Sequence, residues 1–264
     1  MPPDGYWLAF SGGKDSVVIH HLAAQSGIPF KAFYNVTGVD PPELVYFIRE
    51  HYPHVSCIFP NTSMWQLIER KMMPPTRIIR YCCESLKHSN SSGKTVVTGV
   101  RWAESVRRKN NRAMLELNAN ASAKKRIMLN NDNDEARRMF ESCAAQGSHI
   151  LNVIVDWTTD DVWDYIKENQ LPYCSLYEVG FKRLGCIGCP MSGTKGMEFE
   201  FNRYPKIQAL YLKAFDKMLA ARKARGMNSG IWTDADAVMQ WWIYGQGKKP
   251  LNVIDGQINM FEEI

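Results

Sequence analysis

Tyr6-Trp7-Leu8-Ala9-Phe10 runs directly into Ser11-Gly12-Gly13-Lys14-Asp15-Ser16 and then into Val17-Val18-Ile19-His20-His21-Leu22-Ala23-Ala24. A short apolar and aromatic run, a glycine turn and a segment of helical period predict strand, loop and helix. In that order, backbone N–H groups and the helix N-terminus converge on the loop, and two glycines let the main chain approach an anion closely. A plain structural turn is the alternative. The loop is not a Walker A sequence, because Gly-Lys is followed by Asp rather than Ser or Thr.

The same alternation continues outward. Phe30–Val36 predicts a second strand, the prolines at 41 and 42 a helix start, and ELVYFIREHY its body. Val55–Phe59 predicts a third strand and WQLIERKM a third helix, while Thr95–Val100 and Ile150–Val155 predict the fourth and fifth strands. The expected fold is α/β, a doubly wound parallel sheet with ligand at the carboxyl ends of the strands. Residues 109–148 are rich in Asn and charge with weak periodicity, and read as an insertion with little core of its own and mobile tips. Thr158 followed by acids signals a capped helix. RYPKIQALYLKAFDKMLAARKARG predicts a long helix, read as a lid or flanking helix, with Ile207, Leu210, Tyr211, Ala214, Phe215, Met218 and Leu219 on its apolar face. In the shorter helix that follows, Trp241 and Trp242 read as core or interface aromatics. The expected division is an α/β domain over 1–190 and a helical C-terminal extension over 191–264 packed on it.

The 264 residues are 45% hydrophobic and 22% charged, which excludes disorder, collagen and coiled coil. No apolar run approaches the ~20 residues of a membrane span, and the first residues lack a signal-peptide pattern. A soluble cytoplasmic protein with no membrane partner is expected. The net charge of +5 is uneven: residues 101–138 hold ten Lys/Arg against five Asp/Glu, and 195–225 hold eight against three. Both stretches suit contact with a polyanion, and equally suit solvated helix faces.

Seven cysteines at uneven spacing in a reducing compartment favour metal binding or catalysis over a disulfide framework. Cys82-Cys83 and the C-x-x-C pair Cys186 and Cys189 supply four thiolates, with 102 residues between the pairs. Four sulfurs suit a [4Fe–4S] cluster or a structural zinc. Adjacent cysteines diverge on regular backbone, so both reach one centre only where the chain bends, which separated irons tolerate better than a single zinc. A thioredoxin-like redox use of Cys186 and Cys189 is the minor alternative. Cys57 reads as a buried strand residue, Cys174 as packing near the metal centre and Cys143 as an inert thiol in the insertion. His20 and His21 receive no role. Arg101, Arg107 and Arg108, after a strand ending at Gly99, suit phosphate binding through their planar forks, with surface ion pairing as the alternative.

Ser11–Ser16 at the end of the first strand resembles the PP-loop of the ATP pyrophosphatases, the adenine nucleotide alpha hydrolases. The resemblance implies cleavage of ATP between the α and β phosphates, with Lys14 and the amides of Gly12 and Gly13 on pyrophosphate. It also implies hydroxyl contacts from Ser11 and Ser16, and Asp15 positioning Mg²⁺ or the loop. Arg80-Tyr81-Cys82-Cys83 with Leu86-Lys87, joined to Cys186 and Cys189, resembles the cluster pattern of the phosphoadenosine and adenosine phosphosulfate reductase family. Thr37-Gly38, Gly99-Val100-Arg101 with Arg107-Arg108, Asp156-Trp157, and Leu176-Tyr177 with Gly180-Phe181 extend the likeness over roughly residues 6–190. By that likeness Thr37, Gly99, Arg101, Arg107 and Arg108 bind the nucleotide, with Lys14, Asp15 and Arg101 at the reacting centre. Past residue 190 the likeness is to phage- and bacterium-borne members described only as reductase-like.

Sulfonucleotide reductases carry a nucleophilic cysteine in a mobile tail, whereas no cysteine follows Cys189, and their phosphate loop is degenerate, whereas Ser11–Ser16 is of the ATP-cleaving kind. The chain also begins almost at its first strand, where relatives carry a leading helix, so truncation or a helix supplied elsewhere is expected. The combination resembles the sulfur-inserting branch. It implies an ATP-dependent sulfur transferase with a [4Fe–4S] cluster, ATP and Mg²⁺. Its expected partners are an adenine nucleotide, a nucleic-acid acceptor and a sulfur donor such as a cysteine desulfurase, with oligomerisation left open. The alternatives are a sulfonucleotide reductase using an external thiol, and a non-catalytic nucleotide- or nucleic-acid-binding module with structural zinc.

Overall fold

In the computed structural model, residues 5–87, 94–118, 126–129 and 148–245 are described. Their contacts divide the chain into two units. The first comprises Met1–Val36, Pro41–Phe59 and His88–Gly185, and the second Thr37–Asp40, Pro60–Lys87 and Cys186–Ile264. The second unit thus draws on three stretches of chain rather than on the residues after 190 alone.

The first unit holds a sheet of seven strands among the described residues: β1 (Tyr6–Ala9), β2 (Phe30–Asn35), β3 (Ser56–Ile58), β4 (Thr95–Thr98), β5 (Leu115–Asn118), β6 (Arg126–Leu129) and β7 (Ser148–Asn152). Their spatial order is β3-β2-β1-β4-β7-β5-β6. The first five in that order are parallel, with Tyr6 opposite Phe30, Trp7 opposite Val96 and Thr95 opposite His149. The chain winds outward from β1 to β3 and then returns to the other side of β1. That reversal is the signature of a doubly wound sheet, and it places the loops after β1 and β4 side by side at the carboxyl ends. The core is built from Leu8, Val17, Val18, Ile19, Ala32, Tyr34, Leu44, Ile48 and Val97, all buried.

The first unit's helices are α1 (Lys14–Gln25), α2 (Pro42–His51), α5 (Val106–Asn111) and α6 (Thr159–Glu168). α6 starts as its sequence predicts. The Thr158 hydroxyl accepts from the Asp161 N–H at 3.2 Å, and the Asp161 carboxylate accepts from the Thr158 N–H at 2.7 Å.

The insertion contributes strands to the sheet, with β5 pairing antiparallel with both β7 and β6. The inference about its mobile tips, like that about Cys143, falls outside the described residues. Cys57 is exposed rather than buried, because β3 is the edge strand of the sheet. An apolar five-residue run does not reveal which strand ends up at the edge.

The second unit is helical: α3 (Met64–Lys71), α4 (Tyr81–Lys87), α7 (Gly193–Arg203), α8 (Pro205–Ala224) and α9 (Ala235–Gln240), followed by a wide π turn over Trp241–Gly245. α3 and α9 both pack on α8. Leu67, Ile68, Phe201, Tyr211, Phe215, Met218, Val238 and Trp242 close one apolar cluster. α8 is therefore the central core helix of this unit, not a lid, although Leu210 on its predicted apolar face stays 40% exposed. Trp242 is fully buried, and its indole N–H donates to the Pro75 carbonyl at 2.6 Å, which satisfies the polar end of a large core aromatic. No described helix is long and apolar enough to cross a membrane.

Candidate functional site

In the first unit, the loop from Ser11 to Gly13 leads from β1 into α1 with Gly13 at the N-cap. Gly12 has φ +71°, and a Cβ there would lie 2.6 Å from Leu44 Cδ1 and 2.9 Å from Ile48 Cδ1. Only glycine meets both the backbone angle and the approach of α2. The Ser16 hydroxyl donates to the Gly13 carbonyl at 2.8 Å, and the Ser11 hydroxyl donates to Ser16 Oγ at 3.3 Å. These bonds hold the turn closed beneath the helix start. The Lys14 N–H donates to the Tyr177 hydroxyl at 2.9 Å, so a tyrosine oxygen occupies one of the orphan donors of α1.

Asp15 is the hub of the charges. Its Oδ2 lies 3.0 Å from Lys14 Nζ and its Oδ1 2.6 Å from Arg101 Nε, both cations being almost fully buried. Arg101 also donates through Nη1 to the Trp157 carbonyl at 3.2 Å. Its guanidinium thus closes the loops after β1, β4 and β7 onto one carboxylate. Gly99 makes this approach close, since a Cβ there would stand 3.1 Å from the backbone and Cβ of Asp15. Arg108 pairs with Glu104 one turn earlier, and its pKa is lowered to about 10, first by burial and then by Arg183. Arg107 is exposed on α5. The structure therefore brings Ser11, Gly12, Gly13, Lys14, Asp15, Ser16, Gly99 and Arg101 together, with Arg101 bonded to Asp15 through Nε and to the Trp157 carbonyl through Nη1.

The four cysteines belong to the second unit. Cys82, Cys83, Cys186 and Cys189 all line one small cavity of about 30 Å³, with Thr37, Lys87 and Tyr211 among its other walls. Cys82 and Cys83 sit in the first turn of α4, a helix that the sequence reading did not anticipate. Adjacent thiols therefore reach one cavity from a helix start, without the expected bend. The Cys186 thiol donates to the Thr37 hydroxyl at 3.4 Å, and the Thr37 N–H is held by Asp40 at 2.8 Å. Thr37 thus stands in the second unit beside a thiol. Cys82 is raised above the ordinary thiol range, chiefly by its hydrogen bond with Cys83 and then by burial, while Cys186 and Cys189 are raised chiefly by burial. Lys87 is raised above the usual amine range, first by Cys186, against the effect of its burial.

Among the described residues no group of three or more His, Cys, Asp or Glu side chains is arranged to hold a metal ion as it stands. The donor set nevertheless fits a thiophilic centre in kind: four cysteines lining one cavity and a half-buried lysine beside them to balance their charge. Cys174 is buried in the first unit. Tyr177 and Lys87 were not singled out in sequence, although both lie inside the quoted motifs. A hydroxyl on a helix amide and an amine among thiols are facts of tertiary placement that spacing does not carry.

The family model described as phosphoadenosine phosphosulfate reductase domain matches residues 5–192. An uncharacterized protein of Methanocaldococcus jannaschii is 26% identical over 241 residues, covering 85% of this chain and 50% of that protein. The chain thus spans about half the length of that relative. The adenosine 5'-phosphosulfate reductase of Allochromatium vinosum is 26% identical over 217 residues, covering 76% of this chain and 74% of that enzyme. The crystal structure of the phosphoadenylyl-sulfate reductase from Candida auris, a phosphate complex, superposes with a TM-score of 0.46 at 16% identity, over 70% of this chain and 81% of that one.

Proposed function

We propose, on the premise that the chain belongs to the phosphoadenosine phosphosulfate reductase family, that it is the ATP-cleaving, sulfur-transferring kind of enzyme in that family. The observation that carries this reading is the intact Ser11–Ser16 loop opening α1 beside the β4 loop, with Lys14 and Asp15 in it and Arg101 locked onto Asp15. A strand-to-helix turn of this build offers backbone donors and a lysine to a polyphosphate.

In this reading the loop amides and Lys14 hold the β and γ phosphates, and Asp15 carries Mg²⁺ or fixes Lys14. An acceptor oxygen bonds to the α phosphorus as the bond from that phosphorus to the bridging oxygen breaks. Pyrophosphate leaves with the electron pair, its charge met by Lys14. Hydrosulfide, delivered by a sulfur donor, then bonds to the activated carbon or phosphorus, and AMP leaves with the former acceptor oxygen. Cys82, Cys83, Cys186 and Cys189 would hold the [4Fe–4S] cluster, with Lys87 balancing their charge. When bound, such a cluster supplies a thiophilic metal surface for the incoming sulfur. The basic stretches 101–138 and 195–225 support a nucleic-acid acceptor.

The second reading is a sulfonucleotide reductase using an external thiol, favoured by the likeness to the Allochromatium vinosum enzyme. One experiment separates the two. Protein purified without oxygen is analysed for iron and zinc, then given either ATP–Mg²⁺ with sulfide and RNA or DNA, or adenosine phosphosulfate with a thiol. AMP and pyrophosphate from ATP support sulfur transfer. Sulfite from the sulfonucleotide, with ATP left intact, replaces it with the reductase reading, and ADP as product rejects the proposed loop chemistry.

A further inference from the structure

We infer that Glu200 is the positioning residue of the C-x-x-C turn, an inference that rests on the reading of Cys82, Cys83, Cys186 and Cys189 as ligands of one metal centre. Glu200 lies on α7 and is only 9% exposed, a costly place for a carboxylate unless its oxygens are engaged. The Gly188 N–H donates to its Oε2 at 2.6 Å, a short bond of the charge-assisted kind.

The turn is held at every residue between its thiols. The Ile187 N–H donates to the Val39 carbonyl at 2.8 Å, the Tyr211 hydroxyl donates to the Ile187 carbonyl at 3.1 Å, and the Cys189 N–H donates to the Cys186 carbonyl at 3.2 Å. Gly188 itself has φ +72°, and a Cβ there would stand 2.5 Å from Phe201 Cζ and 3.3 Å from Trp242. Phe201 follows Glu200 directly, so the C-terminal half of α7 delivers both the carboxylate that takes the Gly188 amide and the ring that limits its space.

The chemistry follows from where the amide goes. Hydrogen bonds to ligand sulfurs and net charge are the protein's principal means of setting a cluster's potential. Glu200 takes the Gly188 N–H away from sulfur and puts a negative charge beside the C-x-x-C pair. Both effects lower the reduction potential of an iron centre, and the fixed turn keeps Cys186 and Cys189 in place before metal arrives. Partners of this kind, one shell outside the ligands, typically change metal affinity by about 10–100-fold.

The test compares wild type, Glu200→Ala and Glu200→Gln as full chains. Glu200→Ala should lose metal to a chelator about 10–100-fold more readily than wild type. Glu200→Gln, which keeps an acceptor without the charge, should recover most of that retention while moving the potential of an iron centre upward. Metal retention and potential unchanged in both variants would overturn the inference.

Metal-free protein gives an independent reading through the exchange of the Gly188 amide hydrogen and the alkylation rate of Cys186 and Cys189. Wild type should be the slowest in both and Glu200→Ala the fastest. Equal rates would overturn the clamp. Should Glu200→Ala fail to fold, faster Gly188 exchange in Glu200→Gln supports it and unchanged exchange overturns it. Wild type that binds neither iron nor zinc refutes the metal reading instead, and leaves these rates to decide the clamp.

Discussion

Replacing Asp15 by Ala removes a carboxylate that faces both Lys14 Nζ, at 3.0 Å, and Arg101 Nε, at 2.6 Å. Arg101 is 2% exposed, so its guanidinium keeps the desolvation cost of burial and loses its paired carboxylate, while the bond to the Trp157 carbonyl remains. Breaking a buried pair in this way costs about 3–5 kcal/mol. Asp15 is itself 23% exposed, and the part that water already screens places the loss near the lower end, about 3 kcal/mol. With a urea m-value of about 1–3 kcal/mol/M, the midpoint should fall by about 1 M or more. Asp15→Asn, which keeps an oxygen for the Arg101 Nε–H, should lose distinctly less. Repeating the urea curves with ATP–Mg²⁺ measures the site directly, since a ligand at about 100 times its Kd adds about 2.7 kcal/mol. That increment should shrink in Asp15→Ala. A stability within about 0.5 kcal/mol of wild type, the range of ordinary surface substitutions, would refute the buried-hub argument. An undiminished increment would refute Asp15 as part of the nucleotide site.

Cys186→Ser should lower the iron or zinc content and, for an iron–sulfur centre, bleach its visible absorbance; full metal content with an unchanged spectrum rejects the four-thiol assignment. His20 donates to or accepts from His54 at 2.7 Å inside a cage of Phe10, Phe30 and Tyr52, and burial, followed by the charge of His54, lowers its pKa to about 4. An unfolded chain takes up that proton near pH 6.5 while the folded one resists until about 4, so stability should fall through this window by up to about 3 kcal/mol. Urea midpoints at pH 7.5 and 5 should separate more in wild type than in His20→Phe, and equal separations remove His20 as the cause. Binding to tRNA or DNA should weaken steeply with salt, and neutralising Lys124, Lys125 and Arg126 should flatten the log–log slope by about 0.7–0.9 per lost phosphate contact. No binding at about 50 mM salt, where counterion release most favours association, points to a small-molecule acceptor.

The elements that sequence identified were those whose period or punctuation is local. YWLAF before two glycines, prolines opening α2 and Thr158 three residues before Asp161 each carry their own reason to begin or end. The helices it passed over lack such reasons. α4 has only seven residues, and α7 starts at Gly193 with Gly196 in its first turns, which costs about 1 kcal/mol per glycine against alanine in helix propensity. α7 persists because Met197 and Phe201, four residues apart, bury one face in the second unit's core, a tertiary gain that propensity does not contain. Cys57 shows the converse case. Its apolar strand was correctly placed, but edge position is decided by strand order, which depends on connections elsewhere in the chain.

The candidate site divides along the same line. Which residue types belong to it was legible, because Ser11–Ser16 and the two cysteine pairs have chemistry at short spacing. What each one faces was not. Three arginines after a glycine look like three forks for phosphate, yet Arg101 spends its fork on Asp15, 86 residues earlier, and Arg108 on Glu104. A positive side chain near a phosphate loop can hold the phosphate or hold the residue that does, and sequence spacing is the same in both cases. Burial and pairing are what tertiary structure adds: Arg101 is 2% exposed and bonded to Asp15, a placement that spacing does not reveal. Lys14 is also buried and paired to Asp15, but its ammonium carries three donors, so it can meet a phosphate while keeping its carboxylate contact.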